Sequence, residues 1–302
     1  MRRAVGGPGG LVGPPGLNSE RGFISRERRM KLRTLLAVSV AVSLAGEAGA
    51  WPAVLMQSLG RDARRLMPRS LARLMAEREP QIIEEAQRFP PELAQALAAD
   101  LAAGVLQPAT VAALEGRAAE AVELLRQQRA SEGVIKLGAL LRIPADLSDP
   151  VLSAGSEGYP SGVVREYYAF VTGSLDKIPV VLDDAAALRL PSRRLPAYWQ
   201  SILGRSRSQS GVIRTELFQN GRVVDHRTID YRSPVFGVGS LSYSRAVTAI
   251  AVTWLALWRE ANGDLTRIPA TREVRPQEPP AASATPSPGS PAPAPPRSGG
   301  RQ

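Results

Sequence analysis

The chain contains no cysteine. That removes disulfides, thiolate zinc ligands, a cysteine nucleophile and a lipidated cysteine anchor, and leaves packing alone to hold the fold. Histidine occurs once, as His226. Zinc sites built without thiolates ordinarily draw on several imidazoles, so a conventional zinc enzyme is hard to assemble from this inventory. Aromatic residues make up 5% of the chain, and no Lys/Arg cluster is interleaved with them on one element, which argues against a nucleic-acid partner. No G-x-S-x-G elbow is present, and a single imidazole limits serine catalysis further. Apolar runs stay short of the roughly twenty residues that a membrane span requires.

What is present is a basic chain with unusual ends. The formal charge is +10, but residues 1–50 hold about +5 of it and the stretch from Arg272 about +2, so the middle is only mildly basic. From Met30 the sequence reads MKLRTLLAVSVAVSLAGEAGA. Lys31 and Arg33 precede an apolar run from Leu35 to Leu44, and Ala48-Gly49-Ala50 closes it. This is the pattern of a cleavable signal peptide, with the cut between Ala50 and Trp51. The run is ended by Gly46 and Glu47, too early for a transmembrane anchor. Residues 1–29 are rich in Gly, Pro and Arg, as expected of a disordered leader or of a chain whose true start is Met30. Arg28-Arg29 is ordinary charge of the leader rather than a twin-arginine signal, because Lys31 stands where that signal prefers an apolar residue. From Pro276 the composition PPAASATPSPGSPAPAPP cannot build a core, and residues 272–302 are expected to form a disordered tail.

Between the ends, residues 51–271 are of single-domain size. Val54, Leu55, Leu59 and Leu66, then Leu71, Leu74 and Met75, then Ile82, Ile83 and Ala86 recur at helical spacing. Pro68, Pro80 and Pro90-Pro91 punctuate these helices at their first turns. Helices are further expected over 92–103, 108–130 and 132–143, the last capped by Ser131, and after Ser161 through Val171. Pieces at 198–204 and 212–218 end at the turn Asn220-Gly221, and residues 222–235, with their β-branched residues, could pair as a short hairpin but read better as a loop crossing a face. A closing helix from about Leu241 to Ala261 carries Tyr243, Val247, Ile250, Trp254 and Trp258 on one stripe, with an apolar stretch too short to span a bilayer. The expected class is all-α.

Two features resemble a known family. Cleavage would expose Trp51 as a new N-terminus, and downstream stands LGALLRIPADLSDPVL, residues 137–152. The combination resembles the zinc-dependent phospholipase C and single-strand-specific nuclease superfamily, whose fold is all-helical. In that family a processed N-terminal tryptophan ligates metal through its amine and carbonyl. A helix there supplies His-x3-Asp-x5-His with a proline two before the last histidine. On that pattern Arg142 falls on the first histidine, Asp146 on the aspartate, Pro150 on the proline and Leu152 on the last histidine. Met56 stands five residues after the tryptophan, where the family has another histidine. Residues four apart share a helix face and can reach one metal, but a guanidinium stays protonated and cannot ligate zinc. Arg142 can instead pair with Asp146 across one turn. The resemblance therefore implies a degenerate metal site at Trp51, Met56, Arg142, Asp146 and Leu152, with Trp51 and Asp146 as its only remaining ligand candidates. No cofactor is expected.

The other candidates are weaker. Asp146 and Asp149 beside Pro150 read equally as caps or solvated loop acids. His226 with Asp225 and Asp230 is the one other place for a metal. Gly155-Ser156 and Gly239-Ser240 read as turn or helix-start residues, and Tyr167-Tyr168 and Trp254/Trp258 could line a lipid groove but read better as core. The function expected is a non-catalytic, periplasmic or secreted helical domain with a binding or scaffold role, toward an envelope partner or a lipid-like ligand. The alternative is an active phosphodiesterase with a reduced, carboxylate-based site for zinc or another divalent cation. A third possibility places Arg272, Arg275, Arg297 and Arg301 of the tail on an anionic polymer.

Overall fold

A computed structural model describes residues 51–155, 158–182 and 184–266. The expectations for the leader, the signal peptide, Ala50, Ser156 and the tail lie outside the described residues. The chain divides into a short unit, Met1–Pro52, and a helical unit, Ala53–Gln302.

The helical unit is all-α, as expected. Its helices are α1 (Ala53–Arg64), α2 (Arg69–Glu77), α3 (Glu79–Gln87), α4 (Pro91–Ala103), α5 (Pro108–Arg126), α6 (Ala130–Ala139), α7 (Arg142–Leu147), α8 (Val163–Gly173), α9 (Leu195–Arg207), α10 (Ser210–Leu217) and α11 (Pro234–Glu260). Proline starts α3, α4, α5, α9 and α11 within the first two positions, where its missing N–H would have had no intrahelical partner. Ser233 caps α11 by accepting from the Phe236 N–H at 3.3 Å.

Helix α11 is the axis of the domain. Helices α1, α7, α8, α9 and α10 and the 3₁₀ turn Ala186–Arg189 all pack on it. Ala246, Val247, Ala249, Ile250, Ala251 and Leu255 have no exposed surface. A second layer forms where α6 packs on α2, α3 and α5. Lys136 of α6 there meets Glu85 of α3 at 2.7 Å and Glu120 of α5 at 3.4 Å, joining three helices of that layer.

Several local expectations are corrected. Helix 132–143 is two helices, α6 and α7, separated at Leu140–Leu141. Pro144 lies in the first turn of α7 rather than at the end of a longer helix, because its ring cannot follow an unbroken helix. Ser131 lies inside α6 and the cap position is Arg129, while α8 is preceded by Gly162 rather than capped by Ser161. The segment after Asn220-Gly221 is not simply a loop: Phe218 pairs with Val223 and Gln219 with Arg222 in a two-residue antiparallel ladder. Asn220 and Gly221 both take positive φ, at 52° and 74°, the geometry of a tight hairpin that the strand twist favours. The closing helix is longer than the apolar stripe indicated. Its 27 residues, about 40 Å, make it the one helix among the described residues long and apolar enough to cross a membrane. In this fold 78% of its most apolar stretch is buried against the rest of the domain.

Candidate functional site

Residues 142–153 lie at the centre of the domain, where α7 packs against α1, α9 and α11. Arg142 Nε donates to Asp146 Oδ2 at 2.6 Å across one helical turn, with the two side chains only 19% and 6% exposed. Phe89 stacks under two guanidiniums, with Arg117 Cζ 5.3 Å and Arg142 Cζ 5.9 Å from its ring centre. A cation held over a ring face gains from the ring quadrupole, so Arg142 is fixed from both sides.

Asp149 is entirely buried. Its Oδ1 accepts the Val151 N–H at 2.8 Å and its Oδ2 the Tyr168 hydroxyl at 2.6 Å. Burial pushes this carboxyl up to about 7, against the downward pull of the Tyr168 and Val151 hydrogen bonds, and the nearby charge of Asp146 adds to the rise. The same burial raises the Tyr168 phenol well above its ordinary range. The Tyr159 hydroxyl reaches the carbonyls of Pro150 at 3.2 Å and Ser210 at 3.0 Å. Ser153 Oγ donates to the carbonyl of Asp149 at 3.1 Å. The turn through Pro150 is thus tied to α8 and α10 by buried polar contacts.

The positions singled out by the resemblance fall as follows. Met56 is buried on α1, and α1 reaches α7 where Gly60 lies against Leu141. Trp51 belongs to the first unit and stands two positions before the start of α1, with Pro52 between. Leu152 is half-buried in the turn after α7. Arg142 and Asp146 are joined, as i,i+4 spacing allows. Neither Asp146 nor Asp149 is the solvated loop acid that their place beside a proline also allowed: they are 4% and 0% exposed. Tyr167, Tyr168, Trp254 and Trp258 are core residues, all 8% exposed or less. Gly239 and Ser240 lie within α11.

A second cluster lies on a different side of α8, in the turn that follows the hairpin. Gly162 begins α8 at φ 90°, in the left-handed region open to glycine, with Val223 of the hairpin 3.6 Å from where a Cβ would sit. That junction sets the first turn of α8 beside the 3₁₀ turn His226–Thr228. Glu166 Oε2 accepts both the backbone N–H of His226 at 3.1 Å and its ring Nδ1 at 2.7 Å. Arg165 holds Oε1 through Nε at 3.1 Å and Nη2 at 2.9 Å. The hydrogen bond from His226, with further help from Arg165, keeps the Glu166 carboxyl down to about 2 despite its partial burial. An ionised carboxylate can only accept, so the proton between Glu166 and His226 belongs to Nδ1. Asp225 Oδ1 lies 3.5 Å from Nδ1 and caps the turn by accepting from the Arg227 N–H at 2.9 Å.

This cluster differs from the one read in the sequence. Asp230 is not part of it, because His226 sits in a three-residue turn and not on a helix that would align positions four apart. Asp230 instead accepts the Arg232 N–H at 2.9 Å. Glu166 takes its place from sixty residues away. The sequence places Glu166 only somewhere within the helix expected after Ser161, and nothing local to it points to His226 sixty residues on.

No protein-family model, curated protein or solved structure matches the chain.

Proposed function

We propose that the protein is an exported, non-catalytic helical domain, a degenerate relative of the phospholipase C and nuclease superfamily with a binding or scaffold role in the cell envelope. The observation that carries this reading is the Arg142–Asp146 pair at 2.6 Å. At the two positions where the family would place metal ligands one turn apart, a permanent cation already neutralises the aspartate. A divalent ion there would have to sit beside a guanidinium that cannot lose its proton. The neighbouring carboxylate is no better placed, since both oxygens of Asp149 accept hydrogen bonds and the side chain has no solvent contact. These contacts weigh against the alternative of a carboxylate-only phosphodiesterase centre. They suit a buried polar network that fixes the packing of α7 against its neighbours.

The test is hydrolysis of a phosphatidylcholine vesicle and of single-stranded DNA by purified protein, with and without chelator. Neither substrate should turn over above background. A chelator-sensitive activity that survives in a His226→Gln variant and disappears in Asp146→Ala would overturn the reading and restore the enzyme.

A further inference from the structure

We propose that Glu166, Asp225 and His226 form a three-donor surface site for a divalent transition ion of the zinc class. The site is separate from the buried 142–153 network and does not depend on the reading of that network.

The donors already stand at nearly the right separations. Zinc bonds to nitrogen and oxygen of about 2.0–2.2 Å put tetrahedral ligand atoms about 3.3–3.6 Å apart. His226 Nδ1 lies 3.5 Å from Asp225 Oδ1 and 2.7 Å from Glu166 Oε2, and one ligand atom from each of the three residues falls within 4.8 Å of the others. The shorter distance is set by the proton that Nδ1 donates to Glu166. A metal ion takes the place of that proton, needs a slightly wider gap, and finds it by a small rotation of an imidazole that is 29% exposed.

The donors are also oriented from behind. Arg165 grips Oε1 of Glu166, the oxygen turned away from His226, from a side chain 76% exposed and so screened by water, unlike the buried Arg142 on Asp146. The Arg227 N–H holds Asp225 through Oδ1, the oxygen that faces Nδ1. Supporting hydrogen bonds of this kind fix ligand geometry in metal sites. A cleft of about 470 Å³ opens on the cluster, lined by Arg165, Glu166, Val223, Asp225, His226 and Arg227. It leaves room for water to complete the coordination shell. One imidazole with two carboxylates favours zinc-class ions over calcium or magnesium, which take all-oxygen shells.

Because the chain has a single histidine, the ring can be watched without interference. In a long-range ¹H–¹⁵N correlation spectrum of the full chain, the metal-free protein should carry its ring proton on Nδ1. Adding zinc sulfate should displace the proton from Nδ1, leave Nε2 protonated and shift Nδ1, saturating at one equivalent and reversing with chelator. Glu166→Gln and Asp225→Asn should each weaken zinc binding by at least about tenfold, while Asp230→Asn leaves it unchanged. Asp225 is exposed, so its variant decides the matter should Glu166→Gln fail to fold. Ring nitrogens that ignore millimolar zinc, or an unchanged affinity in Asp225→Asn, would overturn the site.

Discussion

A carboxyl group cut off from water resists ionisation, and Asp149 has no exposed surface. Its folded value of about 7 stands above the ordinary 3.8, so between those limits the unfolded chain has released a proton that the folded chain retains. The sign follows: this group's contribution is fully present below about pH 4, shrinks as pH rises toward 7, and is constant above. A displacement of this size is worth a few kcal/mol. Asp149→Asn keeps an acceptor for the Val151 N–H and removes the titration. Urea midpoints measured from pH 4 to 8 should therefore fall with pH in the native protein and stay flatter in the variant. Equal slopes would remove Asp149 as their cause. Part of this region was legible beforehand. The Arg142–Asp146 contact follows from i,i+4 spacing on any helix, whereas the burial of Asp149 depends on Tyr168 arriving from α8, and local sequence carries no trace of that.

Among the helices, legibility tracks how local the cause is. The prolines that start α3, α4 and α5 act within one turn, and those helices begin close to where the sequence puts them. The break between α6 and α7 comes from Pro144 together with the demand that α7 meet α1, α9 and α11. Tertiary packing of that sort overrides the apolar stripe of Val134, Leu137, Leu140 and Leu141, which alone reads as one continuous helix. The pairing of Phe218 with Val223, by contrast, closes over only the Asn220-Gly221 turn, so its cause is local and that dipeptide is its signal. Gly138 shows what such packing demands of one residue. A Cβ there would lie 2.6 Å from Ile82 Cδ1, 2.7 Å from its Cγ1 and 2.8 Å from its Cγ2, so α3 and α6 approach each other over a bare backbone. Alanine raises intrinsic helix propensity by up to about 1 kcal/mol over glycine, yet crowding in a packed interface costs about 1–3 kcal/mol. Here the branched body of Ile82, rather than a flexible tip, stands in the way. Gly138→Ala should lower stability by about 1 kcal/mol or more, and in denaturant titrations the double variant Gly138→Ala/Ile82→Ala, which removes all three crowding atoms, should lose less than the two single variants combined. A stabilised single variant would mean that the helices can separate freely.

For the molecule as a whole, the open question is what environment α11 is built for. Its length and apolar content would serve a bilayer as well as a protein core. The polar groups along it decide between them. Tyr243 donates to Asp62 Oδ2 at 2.8 Å, Arg245 to Gln209 at 3.3 Å, and Thr253 accepts from the Trp199 indole at 3.2 Å. These partners come from α1, from the junction of α9 and α10, and from α9, so the helix is engaged on several sides. Withdrawing it into lipid would strip each of those groups of its partner, and every polar group left unsatisfied in hydrocarbon costs several kcal/mol. The apolar residues, buried already, would gain almost nothing in return. The folded chain, freed of any signal segment, should therefore partition into the aqueous phase in a detergent phase-separation assay. Thr253→Val, which keeps shape and raises hydrophobicity but leaves the indole of Trp199 without its acceptor, should lower thermal stability without changing that partition. Recovery of the native protein in the detergent phase would show that α11 leaves the core, and with it the packing on which the other helices depend.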